Sequence, residues 1–429
     1  MRVALLNPPW GFENSVYFGC REPHLPLELG YARALLERDG HEVLLRDGYL
    51  SGMSIEQIAE EVGAFHPKMT VVTTAPSYLF WRCAQPELRV PRALLAAIEA
   101  QGGMTVAVGP HGSSTPGAAR RKLGCDLIIR GECEEVIAEL ANGAAPETVS
   151  GTASADTGGL RLTGAPRAAR FTDLPALRWP DDWIARHHHH HHRFDLSPAT
   201  PGAEVEASRG CPYSCTFCAK IDYRDRYRRR DLARLLEEID ALRAQGVTYI
   251  YFIDEIFLPD RPLLEALLPR GLAFGVQTRI DLWPPQMIEL LGRAGCVSIE
   301  AGVESLTESG RASLDKKCRK STDQLAELLI FARRHVSFVQ ANLLATDGDD
   351  RELVAAWRER LARHDVWSND PVPLFPYPSS PDYVRRWGKP DEHAWERAHA
   401  SYLAQFDRLS DIQADRPAPL AELEAACLS

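Results

Sequence analysis

Three cysteines fall within eight residues of SRGCPYSCTFCAK, residues 208–220. Cys211, Cys215 and Cys218 make a C-x3-C-x2-C pattern. So tight a cluster of thiols points to a metal. A structural zinc site takes four ligands, usually as two pairs closing a tetrahedron. No second C-x2-C or H-x3-H pair lies nearby, apart from the histidine run His187–His192 upstream. A cubane iron–sulfur cluster takes one thiolate per iron. Three thiolates leave one iron open, and an open iron can hold a small chelating ligand. The pattern reads as an iron–sulfur site, with zinc or buried core cysteines as the alternatives. The other seven cysteines are scattered, as small buried hydrophobes are in a reducing compartment.

Stepping out from the cysteines, the 429 residues are too many for one ordinary core, so two or three domains are expected. Hydrophobic content of 45% and charged content of 25% are those of a soluble globular protein. No apolar run reaches the length of a membrane span. The opening MRVALLNPPWG has no signal peptide and reads as a strand, so a cytoplasmic location is expected. A net charge of −10 with no broad basic face argues against a nucleic-acid partner.

Residues 1–145 alternate strand and helix patterns. RVALLNP, EVLLRD, MTVVTTA, TVAVGP and LIIRGE are the strands, and LELGYARALLERDG and VPRALLAAIEAQGG are helices ending in glycine. This order predicts a doubly wound, Rossmann-like parallel sheet, with ligands bound beyond the carboxyl ends of its strands. Those ends carry NPPWG, TTAPS, VGPHGSS and RGECEE. Residues 146–200, rich in Ala, Gly, Thr and Ser, read as a small hairpin or crossing and then a linker. The six histidines lie in it and read as a native, solvated run.

A second alternation fills residues 201–377. Its strands are AEVEASRG, TYIYFID, AFGVQTRI, CVSIEAGVES, SFVQANLLA and PVPLF. Six β/α units predict a partial parallel barrel, with chemistry at the C-terminal strand ends. The cysteines follow the first of these strands, at that rim. Residues 378–429 read as a helical extension packed on the barrel, EHAWERAHASYLAQF being its clearest helix.

CPYSCTFC, with Phe217 as its aromatic, resembles the motif of the radical S-adenosylmethionine (SAM) superfamily. A Rossmann-like sheet ahead of it resembles that family's cobalamin-dependent branch, over roughly residues 1–375. The resemblance implies a [4Fe-4S] cluster on Cys211, Cys215 and Cys218, with SAM chelating the open iron through its amino and carboxylate groups. One electron then cleaves SAM to methionine and a 5′-deoxyadenosyl radical. It implies that Asp254 or Glu255 takes the SAM amino group, Arg279 the carboxylate, and Glu300, Glu304 and Ser305 the ribose or methionine end. Where relatives often show Gly-x-Pro-Gly-Glu, this chain has NLLATDGDD, which departs from the pattern around Asn342.

The same resemblance implies cobalamin at the first domain's strand ends, with Pro9, Trp10, Gly109, His111, Gly112 and Ser113 as candidate contacts. D-x-H-x-x-G is not matched: Asp39-Gly40-His41 is followed by leucine at position 44. No histidine is therefore expected below the cobalt. YRDRYRRR, with Arg224, Arg226, Arg228, Arg229 and Arg230, reads as a solvated basic face or a dock for an acidic flavodoxin or ferredoxin donor. The expected activity is methyl transfer from methylcobalamin to an unactivated carbon of a small-molecule or biosynthetic-intermediate substrate. A cyclase, ring-rearranging or oxidising enzyme is the alternative, and a non-catalytic cobalamin or redox sensor a third reading. Phe375, Tyr377 and Tyr383 are candidates to shape the pocket.

Overall fold

The computed structural model describes residues 1–16, 22–77, 84–101, 103–187, 201–220, 226–406, 413 and 415–426. The five apolar runs of the first part are five parallel strands: β1 (Arg2–Asn7), β2 (Glu42–Asp47), β3 (Met69–Thr73), β4 (Met104–Val108) and β5 (Leu127–Ile129). Their spatial order is β2-β1-β3-β4-β5. All but β2 are buried almost throughout, as strands covered by helices on both faces must be. β2 is half exposed because it is the edge. The hairpin β6 (Thr152–Asp156) and β7 (Gly159–Thr163) adds two antiparallel strands beyond β5. The Thr- and Gly-rich stretch after residue 145 thus continues the first sheet before the chain crosses over.

The second sheet is wholly parallel. It runs β8 (Gly202–Val205), β11 (Tyr249–Phe252), β12 (Ala273–Thr278), β13 (Cys296–Glu304), β14 (Phe338–Leu343) and β15 (Trp367–Ser368), each beside the next. It does not close, so it is the open barrel the six β/α units predict. Between β8 and β11 a two-stranded ribbon, β9 (Ser208–Arg209) with β10 (Arg228–Arg229), pairs antiparallel and ties the base of the cysteine loop. The helix Leu232–Ala244 opens on Asp231, whose side chain accepts from Arg234 N, and buries Leu235, Ile239 and Leu242 against the sheet.

Two expectations need correcting. The sixth strand is Trp367–Ser368, not the PVPLF run, which makes a single bridge between Leu344 and Val372. Pro371 and Pro373 lack the N–H groups a strand ladder needs. The C-terminal extension packs largely on the first domain, not on the barrel alone. In the helix Ala394–Gln405, Trp395, Ala398, His399 and Tyr402 form one buried face. Trp395 stacks on His111 at 4.3 Å and donates from Nε1 to Thr115 Oγ1 at 3.1 Å. Lys122 bonds Glu396 at 2.6 Å and Glu424 at 2.8 Å. Tyr402 also meets Phe375 of the barrel end, so the tail bridges the two halves.

Candidate active site

The cysteine loop leaves β9 at the C-terminal end of the second sheet, with Cys211, Cys215 and Cys218 all half-buried. Its backbone is held from several sides. Lys220 Nζ donates to Cys211 O at 2.6 Å, and Gly210 N to Glu255 Oε2 at 2.6 Å. Thr216 N donates to Leu314 O at 3.0 Å and Thr216 Oγ1 to Asp382 Oδ2 at 2.9 Å. Burial pushes the Cys215 thiol up to about 11, while the Lys316 ammonium pulls it the other way. Binding iron would strip that proton. Among the described residues no three His, Cys, Asp or Glu side chains converge as ligands of one ion would. A cluster, whose irons each take their own thiolate, asks for no such point.

Asp254 and Glu255 follow β11. The Asp254 carboxylate is fully buried and accepts from Ala207 N at 2.8 Å and from Ser208 Oγ. Burial raises it to about 7. Both oxygens are thus spent on the strand that launches the cysteines. Glu255 carries the Gly210 contact and sits nearer the loop's mouth.

Arg279 follows β12. Its Nη2 and Nε donate to Asp281 at 2.8 and 3.2 Å, and its guanidinium lies 4.2 Å over the ring of Tyr213 in the cysteine loop. Its Nη1 is buried with no partner among the described residues. An orphaned guanidinium N–H beside the loop is what a ligand carboxylate would complete.

Glu300 lies level with Gln277 on β12 and Gln340 on β14, a polar row across three strands. Glu304 ends β13 with φ of 64° and forms an ion pair with the buried Lys316. Ser305 is fully buried and donates to Asp349 Oδ1 at 3.0 Å, in a knot that also takes the N–H groups of Leu306 and Thr307. Phe217 lines a cavity of about 790 Å³ with Thr216, Leu314, Thr346, Phe375 and Arg386. Of the three aromatics after the sixth strand, Phe375 borders that cavity. Tyr383 is fully buried against Trp387, and Tyr377 packs on Phe375 and Trp395.

The first sheet's strand ends form a second set. Trp10 Nε1 donates to Asn7 Oδ1 at 2.8 Å, and Asn7 Nδ2 to Asp47 Oδ2 at 2.8 Å, beside the half-buried Pro9. Gly109 has φ of 138°, and a Cβ there would meet Thr74 Oγ1 at 2.2 Å. Only glycine fits this approach. Gly112 lets its helix touch Ile128, where a Cβ would meet Cγ2 at 2.5 Å. Ser113 Oγ donates to Gly109 O and accepts from Gly131 N, both at 2.9 Å. His111 meets Gln85 O through Nε2 at 2.8 Å, and burial drives its pKa down to about 3. Its Nδ1, Thr74 Oγ1 and Ser77 Oγ are buried without partners among the described residues. Two orphaned polar atoms at the glycine turn, with Ser77 on the same loop as Thr74, mark a place for a polar ligand. Thr74 and Ser77 were legible only as part of the TTAPS loop.

The two sets are joined by a buried ionic network. Arg209, fully buried two residues before Cys211, reaches Glu134 and Glu206 at 2.7 Å and Glu132 at 3.2 Å. Glu132 and Glu134 come from the RGECEE loop after β5. Arg228 also holds Glu132, and Arg230 pairs with Glu238 at 2.7 Å. The basic stretch is therefore divided: Arg228 and Arg230 turn onto Glu132 and Glu238, while Arg226 and Arg229 are exposed, as a solvated or docking face requires. Arg224 lies outside the described residues, as do His188–His192. His187 is buried, its Nε2 3.1 Å from Glu204.

Residues 205–356 match the model of the Radical SAM superfamily. An uncharacterized methyltransferase of Pyrococcus horikoshii is 23% identical over 325 residues, 71% of this chain and 66% of that protein. The anaerobic magnesium-protoporphyrin IX monomethyl ester cyclase of Rubrivivax gelatinosus is 24% identical over 326 residues, 72% of this chain and 56% of that protein. The chain thus spans under two-thirds of the length of either relative. Among solved structures, the radical SAM methyltransferase TsrM from Kitasatospora setae, with cobalamin and a [4Fe-4S] cluster bound, superposes with a TM-score of 0.72 at 18% identity. That match covers 90% of this chain and 78% of TsrM. No helix among the described residues is long and apolar enough to cross a membrane. Residues 205–356 are thus similar to a Radical SAM domain, and with the parallel sheet ahead of them the chain has the fold of TsrM.

Proposed function

We propose that the chain is a cobalamin-dependent radical SAM methyltransferase that moves a methyl group from methylcobalamin to an unactivated carbon. The observation that carries this reading is the three-cysteine loop at the C-terminal strand ends, tied by Arg209 to the strand-end loops of the first sheet. The cluster would supply the electron that cleaves SAM to a 5′-deoxyadenosyl radical, and cobalamin would supply the methyl group.

Cys211, Cys215 and Cys218 would hold the cluster. Arg279 would donate from Nη1 to the SAM carboxylate, oriented by Asp281 and the Tyr213 ring. Glu255 is the better placed acceptor for the SAM ammonium, because Asp254 already serves Ala207 and Ser208. Glu300 offers a carboxylate within the strand row, whereas Ser305 positions the loop after β13. Thr74, Ser77 and His111 would satisfy polar groups of the cobalamin, around the close approach that Gly109 permits. The cavity of about 790 Å³ beside Phe217 would admit a small-molecule or biosynthetic-intermediate substrate. A flavodoxin or ferredoxin would deliver the electron.

A relative named as a cyclase, at an identity similar to that of the methyltransferase, keeps ring formation or oxidation as the second reading. Product mass separates the two, because methyl transfer adds a CH₂ unit. The cluster assignment is tested by Cys215→Ala, which should lose iron and all SAM cleavage. Full cleavage by that variant would remove the cluster from this loop.

A further inference from the structure

The segment Leu314–Lys317 brackets Cys215. Leu314 O accepts from Thr216 N at 3.0 Å on one side of the cysteine. On the other, Asp315 Oδ2 accepts from Ser214 Oγ at 2.8 Å, and Lys317 Nζ lies 3.3 Å from the same hydroxyl. Between Asp315 and Lys317 stands Lys316, 2% exposed, in an ion pair with Glu304. Seven described residues other than glycine have positive φ, and three are here: Glu304 at 64°, Asp315 at 47° and Lys317 at 55°. Such conformations cost free energy and persist where the surroundings over-determine them, typically at functional sites.

An ammonium this deeply buried is costly unless it is paired, and Glu304 supplies the pairing charge. The bracket on either side of Cys215 sets Lys316 beside the cysteine loop, with Glu304 as its paired counter-charge. Arg279, a further cation near the loop, is matched by Asp281 at 2.8 Å.

We propose that Lys316 is a positioning and charge-tuning residue: held by the Leu314–Lys317 bracket, its ammonium raises the reduction potential of the cluster carried by Cys211, Cys215 and Cys218, and Glu304 limits that rise. The inference rests on the cluster assignment made above. Reduction adds negative charge to the cluster, and a fixed cation in a medium of low dielectric favours the reduced form.

The test is a redox titration, followed by electron paramagnetic resonance, of the full chain with its cluster reconstituted. Lys316→Met should shift the midpoint potential to more negative values and Glu304→Gln to more positive ones. Lys316→Arg should stay near the wild type. Iron per chain should match the wild type in the charge-retaining variant. A merely structural role would move both neutralising variants the same way or leave both potentials unchanged, and either result overturns the inference. Where Lys316→Met fails to retain iron, the direction of the Glu304→Gln shift decides alone. Failure of the wild-type chain to take up a cluster would instead overturn the cluster assignment.

Discussion

Replacing Arg209 with methionine removes the cation that Glu134 and Glu206 face at 2.7 Å, at a point where all three side chains are fully buried. Methionine fills much of the volume of the arginine stem, so the loss is mainly electrostatic. Truncating one partner of a buried ion pair costs about 3–5 kcal/mol. The three contacts share one guanidinium and do not add. Glu132 keeps Arg228, which holds the total to that range. The cost falls on the junction between the β5 loop and the strand leading to Cys211, so it should appear as local opening there. At about 1.4 kcal/mol per tenfold, amide hydrogen exchange in peptides spanning 131–137 and 204–210 should speed up roughly 10²- to 10³-fold. Exchange in the helix Leu232–Ala244 should change far less. Arg209→Lys keeps the charge but not the fork, and should fall between. Wild-type exchange at the junction in Arg209→Met would refute the idea that this network couples the two halves.

Arg279→Lys should raise the dissociation constant for SAM roughly 10- to 150-fold, from a charge-assisted hydrogen bond of about 1.5–3 kcal/mol, with iron content intact. Anaerobic equilibrium binding checks this, and an unchanged affinity would remove Arg279 from the site. Gly109→Ala should destabilise the first domain by about 1–3 kcal/mol, because its Cβ would lie 2.2 Å from Thr74 Oγ1. It should also weaken cobalamin retention on gel filtration. Asp254 titrates near 7 in the folded chain, above the ordinary carboxylate value of 3.8, so the folded state holds its proton where the unfolded state has lost it. Stability should therefore fall as pH rises from about 4 to 7, and Asp254→Asn should flatten that slope in denaturant titrations.

Much of the frame was readable because parallel strands buried on both faces announce themselves as apolar runs. All five parallel strands of the first sheet fall on the runs chosen for them. The cysteine loop was readable because metal spacing is local. What escaped depends on distant partners. Nothing near SRGC shows that Arg209 answers Glu132 and Glu134 across the fold. Asp254 and Ser305 stand at strand ends as expected, but their side chains are taken up by Ala207, Ser208 and Asp349. Arg228 looked solvated because its acidic partner, Glu132, lies far away in sequence. The tail's destination depended on Trp395 finding His111, which no periodicity encodes.

The most direct test uses full-length protein, reconstituted anaerobically with its cluster and supplied with cobalamin, SAM and a strong reductant. Two products are followed, 5′-deoxyadenosine by chromatography and methylcobalamin by its absorbance. The methyltransferase account predicts both, each lost in Cys215→Ala. Deoxyadenosine formed over a bound cobalamin that never becomes methylated would contradict methyl transfer and favour ring formation or oxidation.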